Sequence, residues 1–172
     1  MNVSPRYRMP TQWLLVALAF AVAHLLYEHF NGGVQSHHLL NRADLPAISN
    51  WVGLLILPVY GWLFGLRLKQ SDPRKNTAIV LAGVFMLVYG AALARAFEFD
   101  QTYVSATLFI GLFVLALALP LYRVEFMFGF VLGMTMTFGS ILPALIISII
   151  GIVSLAVRSA GMAVFRLVKR PS

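Results

Sequence analysis

From Phe126 to Val157 the chain runs for 32 residues without an acidic, basic or histidine side chain. As a single α-helix this run would be roughly 48 Å long, well beyond a hydrocarbon core of about 30 Å. Gly139-Ser140, with Pro143 shortly after, breaks it, because glycine ends one helix, serine caps the next and proline is tolerated in a first turn. The run therefore predicts two apolar helices, 122–138 and 141–157, joined by a tight turn. One long tilted helix, giving one span fewer, is the alternative.

Four more apolar segments precede it, at 13–30, 51–68, 77–96 and 103–121, separated by short polar connections. With 60% hydrophobic and 11% charged residues and a mean hydropathy of +0.84, the chain is solvated largely by lipid. The expected fold is all-α: a polytopic transmembrane bundle of about six spans, five if 126–157 is one helix, in a single integral membrane domain over 1–172. A basic tail, 158–172, mixes apolar and cationic residues as a helix on a membrane surface does. Ala21-Val22-Ala23 forms an A-x-A pattern that would leave His24 as a mature N-terminus. Leu25, Leu26 and Tyr27 continue the apolar run past it, so an uncleaved first span is the reading kept. Gly61-x-x-x-Gly65 and Gly129-x-x-x-Gly133 read as close-packing positions, and Trp13 and Trp51 as interface anchors.

The distribution of charge sets the orientation. With six spans and the N-terminus inside, eleven of the thirteen basic residues fall on the inner side and only Arg42 and Arg95 on the outer. Five spans would divide them seven to six, so the positive-inside rule selects six, with both termini cytoplasmic in a plasma or inner membrane. The net charge of +7 is then the cytoplasmic rim of a membrane protein, and no nucleic-acid partner is expected. The absence of cysteine removes disulfides, thiolate metal sites and cysteine nucleophiles. No Walker, dinucleotide-glycine, H-E-x-x-H or G-x-S-x-G motif is present.

Chemistry concentrates between His24 and Asn50, which holds all four histidines (His24, His29, His37, His38) and two of the six acids, Glu28 and Asp44. His24, Glu28 and Asn31 stand at i, i+4 and i+7 on one helix face, His24 roughly 16 Å and Glu28 roughly 22 Å along from Trp13. Ionisable groups at such depth are costly and are normally paired or bound to something. Imidazole with carboxylate suits zinc and related divalent ions. The metal reading takes His24 and Glu28 as ligands, completed by His37 or His38, with an open position for water. Asp44 is the candidate to accept from an imidazole N–H or to act as general base, Glu28 a catalytic carboxylate, and Arg95 a candidate for an anionic head such as a lipid phosphate.

Each assignment has a plainer counterpart. His24 and Glu28 form a hydrogen-bonded pair that fixes helix packing, with Arg95 neutralising Glu28; His37-His38 is an exposed loop pair; Arg95 with Glu98 is an i, i+3 surface salt bridge. Polar groups gather in the outer half, while the inner half offers little beyond Tyr60, Trp62 and Ser154. A site open on one side fits an enzyme better than a through-path. The expected function is a membrane-embedded enzyme, with or without a metal, acting on a lipid or other amphiphile. A small permease or ion carrier, and a non-catalytic subunit that packs against another copy or a larger membrane protein, remain open beside it.

Over seven residues, His24-x-x-x-Glu28 followed by Phe30 resembles the H-x-x-x-E pair of the emopamil-binding sterol isomerases. That resemblance implies a metal-free variant in which Glu28 or His24 gives a proton to an apolar ligand. Such a site also wants a further acid at depth on a later span, and the sequence reading finds none.

Overall fold

In the computed structural model, residues 5–38, 44 and 47–168 are described, and six α-helices carry most of them. They are α1 (Pro5–Phe30), α2 (Gly53–Gln70), α3 (Asn76–Glu98), α4 (Thr102–Ala118), α5 (Val124–Phe138) and α6 (Ile141–Val168). Four are long and apolar enough to cross a membrane, and α4 and α5 are shorter apolar helices. The expected all-α bundle with six helical segments is what forms. At 15 residues α5 is roughly 22 Å long, and eight of those residues are buried, so its environment is mostly other helices.

Helix direction alternates along the chain, which gives the bundle two distinct ends. One, the hairpin end, holds the C-termini of α1, α3 and α5. The other holds the α2–α3 and α4–α5 connections, with Arg67, Lys69, Arg74, Lys75, Arg123 and Arg158 on or beside them. Between α1 and α2 lies a feature absent from the sequence reading, which expects only a polar loop. Strands β1 (Ser36–His38) and β2 (Ala47–Ser49) pair antiparallel, with Ser36 opposite Ser49, His37 opposite Ile48 and His38 opposite Ala47.

Two helix pairs are drawn together by missing side chains: α1 lies along α2, and α3 along α5. A methyl group added to Gly129 would overlap the Gly83 carbonyl oxygen, and one on Gly133 the Leu87 carbonyl oxygen. On the other pair, methyls at Gly61 and Gly65 would sit 2.5 Å from the Trp13 carbonyl oxygen and from Pro10 Cα. Both G-x-x-x-G segments therefore act as backbone contact surfaces. Helix α5 also touches α2 and α6, and α4 leans on α3 and α6. Trp13 packs edge-on against Phe64 with ring centroids 4.8 Å apart, and Phe64 meets Phe128 at 5.4 Å. Trp13 is thus an interhelical contact of the core.

The chain breaks differ from expectation where proline acts. Helix α4 stops at Ala118 and not near residue 121, because Leu119 precedes Pro120 and takes an extended conformation (φ −113°, ψ 150°). The exposed backbone groups are then satisfied from α6. The Ser154 hydroxyl donates to the Leu119 carbonyl (2.8 Å) and accepts from the Leu121 N–H (3.2 Å), while Arg158 donates to the Ala118 carbonyl (2.6 Å). A cation on the last carbonyls of a helix also suits its dipole. At the other break, α5 ends at Gly139 with φ +66°, a left-handed value that glycine adopts freely. The basic tail does not begin a new element: α6 continues through it to Val168.

Candidate functional site

The last turn of α1 is fixed by its C-cap. Asn31 N–H reaches the Tyr27 and Glu28 carbonyls, and Gly33 N–H returns to the Glu28 carbonyl at 2.9 Å, the closure of a Schellman-type cap. Gly32 and Gly33, at φ +116° and +101°, then turn the chain towards the hairpin.

His24 and Glu28 are buried, at 5% and 7% exposure. Glu28 is held from across the bundle. The Asn50 side-chain amide donates to its Oε1 at 2.5 Å, the Gln35 N–H approaches Oε2 at 3.4 Å, and His24 Nε2 lies 3.6 Å from Oε1. Asn50 also ties its own N–H to the Gln35 carbonyl at 3.0 Å. Its side-chain oxygen sits against the α5–α6 turn, where a Cβ on Gly139 would collide with it. One residue, at the entry to α2, thus joins α1, the hairpin and the α5–α6 turn. Ser49 and Asn50 are both residue types that cap helices. Ser49 makes no side-chain cap bond to the 3₁₀ turn it precedes, and Asn50 turns its side chain to the carboxylate instead.

Two of the expected metal ligands therefore meet. Donors bound tetrahedrally at about 2.0–2.2 Å from one ion stand roughly 3.4 Å apart, and the 3.6 Å between His24 Nε2 and Glu28 Oε1 is close to that. The donor set is incomplete: among the described residues no three His, Cys, Asp or Glu side chains form a group that could hold an ion. Both carboxylate oxygens also already face N–H donors. His37 and His38 lie on β1 with their backbones paired to Ile48 and Ala47, and their side chains lie outside the described residues. Asp44 is exposed in a turn between the strands.

Arg95 belongs to a different place. It is exposed, its guanidinium donates to Glu98 at 2.8 Å and lies 4.6 Å from the centre of the Phe99 ring. The surface-pair reading fits these contacts. Asn50 and Gln35, not Arg95, supply the polar partners of Glu28.

A second feature of the hairpin end is a cleft of 840 Å³ between α3, α4, α5 and α6. Leu93, Phe97, Phe109, Met134, Leu142 and Ile146 form its walls, and Ser36, Glu98, Asp100, Thr102, Ser105 and Thr137 stand among its polar lining. Neither His24 nor Glu28 lines it. They connect to it through the hairpin, since Ser36 follows Gln35, and through the α5–α6 turn, since Phe138 lines the cleft and Gly139 meets Asn50.

The sequence reading missed a further buried acid. Glu125, in the first turn of α5, is 2% exposed and pairs with Arg67 of α2, Nε to Oε2 at 3.4 Å. Standing beside Arg123 at the edge of an uncharged run, it reads as part of a solvated rim; only the packing of α2 against α5 encloses it. It is an acid at depth on a later helix, but at the basic end, with the Trp13, Phe64 and Phe128 contacts between it and Glu28. The two carboxylates do not share a site.

No protein-family model matches the chain, and no curated protein and no solved structure matches it either.

Proposed function

We propose that this chain is a multi-pass protein of a plasma or inner membrane, with both termini cytoplasmic, that takes a lipid or other amphiphile at its hairpin end. The cleft carries this reading: apolar walls beside a polar rim match a molecule with an alkyl chain and a polar head. The crowding of basic residues at the opposite end supports the orientation. Photolabelling in phosphatidylcholine nanodiscs tests it, using an uncharged dodecanol probe with a diazirine near its chain terminus. Adducts are expected on the peptides containing Phe97, Phe109 and Leu142, and are expected to fall several-fold when Ala106→Trp fills the cleft. Labelling spread evenly over all lipid-facing helices, unchanged in the variant, would remove the proposal.

A second reading is favoured by the spacing of His24 and Glu28. In it, the amphiphile is a substrate, and these two residues, with a third ligand from His37 or His38, hold a divalent, zinc-like ion beside the cleft. Elemental analysis of the detergent-purified chain is expected to give about one ion per chain, lost in a His24→Ala, Glu28→Ala variant. No metal in either protein would end the metal form of the enzyme and leave amphiphile binding untouched.

A further inference from the structure

The cleft's polar rim carries two acidic side chains and, among the described residues, no basic one, and from this we infer that its occupant is a cationic amphiphile, a single alkyl chain bearing an ammonium head. The inference rests on the amphiphile reading of the cleft and names the head that reading leaves open. Glu98 and Asp100 both line the cleft, and among the described residues no basic side chain does. Arg95 is the basic side chain nearest in sequence, and its guanidinium is already directed to Glu98 and to the face of Phe99. Two of the rim's hydroxyl protons are engaged as well. Thr102 donates to the Asp100 carbonyl at 3.4 Å and Ser105 to the Thr102 carbonyl at 3.1 Å, so both present oxygen lone pairs outwards.

A phosphate or carboxylate head would meet these acceptors with acceptors of its own. An ammonium brings up to three N–H donors and a charge that opposes Asp100 and the free oxygen of Glu98. Below the rim, Phe97 and Phe138 pack edge to face with centroids 5.0 Å apart, and both line the cleft. Aromatic faces beside a cation add to its retention. The apolar walls below then take the chain.

Competition against the diazirine dodecanol probe in phosphatidylcholine nanodiscs tests this, with dodecylammonium and dodecyl phosphate added at equal mole fraction to the full-length protein. Dodecylammonium is expected to displace the probe at a concentration on the order of tenfold lower than dodecyl phosphate. Asp100→Asn is expected to narrow that preference about three-fold, the size of one exposed charge contact. Asp100 has φ +53°, a conformation asparagine also tolerates, so the variant keeps the turn. Equal displacement by both heads, or a preference for phosphate, overturns the cationic occupant while the cleft remains an amphiphile site. A preference that Asp100→Asn leaves unchanged also overturns it, since the rim charge would then not be its source. Absence of probe from the cleft peptides defeats the amphiphile reading itself and this inference with it.

Discussion

Arg67→Leu is expected to lower the stability of the bundle by about 3 kcal/mol, among the largest effects of any single substitution in this chain. Removing one partner of a buried ion pair typically costs about 3–5 kcal/mol, because the other charge is left uncompensated. Arg67 is one-third exposed, which places the expectation at the lower end. Glu125 has little else to turn to: its Oε2 has no hydrogen-bond partner among the described residues, and the side chain is 3% exposed. The pair is also aligned with the helix dipoles, the acid in the first turn of α5 and the cation in the last turn of α2. Equilibrium unfolding in mixed micelles checks the size. The double variant Arg67→Leu, Glu125→Leu is expected to regain most of the loss, since apolar residues of similar volume often replace a buried pair at little cost. If the double variant is as unstable as the sum of the two singles, the pair is not what joins α2 to α5 at this end.

The helices were legible from the sequence because lipid demands long apolar runs, and a break such as Gly139-Ser140 is a local property of a few residues. Helix ends depended on equally local chemistry, and where that was overlooked, at Leu119 before Pro120, the boundary moved. Glycine spacing identified the contact surfaces of α2 and α5, although not which helix each would meet; α3 lies along α5, not along its sequence neighbour α4. The candidate site was legible only in part. His24 and Glu28 share a helix face by periodicity alone, so their meeting follows from the sequence. The Asn50 contact joins residues 22 apart through a strand pair, and strands of three residues leave almost no periodic trace. Glu125 was hidden for a different reason: a charge in the first turn of a helix is solvated or buried according to what packs over it, and α2 does so here.

Asn50→Ala is the second large effect, expected at about 2–3 kcal/mol, with consequences beyond α2. Leaving a buried acceptor without its donor costs about 1–3 kcal/mol, and more when the acceptor is charged. Among the described residues Glu28 then keeps the Gln35 N–H, at 3.4 Å, and the neighbouring His24 ring. The gap left against Gly139 also takes away the contact that seats the α5–α6 turn. Hydrogen exchange is therefore expected to rise at Gln35 and across β1 and β2 as well as at the start of α2, because the carboxylate that accepts from the Gln35 N–H is held in place by this amide. Glu28→Gln, which preserves shape and an acceptor for Asn50, should cost less than Asn50→Ala. The comparison separates two roles for the same carboxylate. If Glu28 serves only to hold the hairpin, replacing His24 and Glu28 together by apolar residues of similar size should restore much of the stability lost on removing either alone. If the pair instead holds an ion or a proton for chemistry, that double variant should fold and lose the ion or the turnover. Exchange in the hairpin reports the first role and metal content the second, so neither outcome mimics the other.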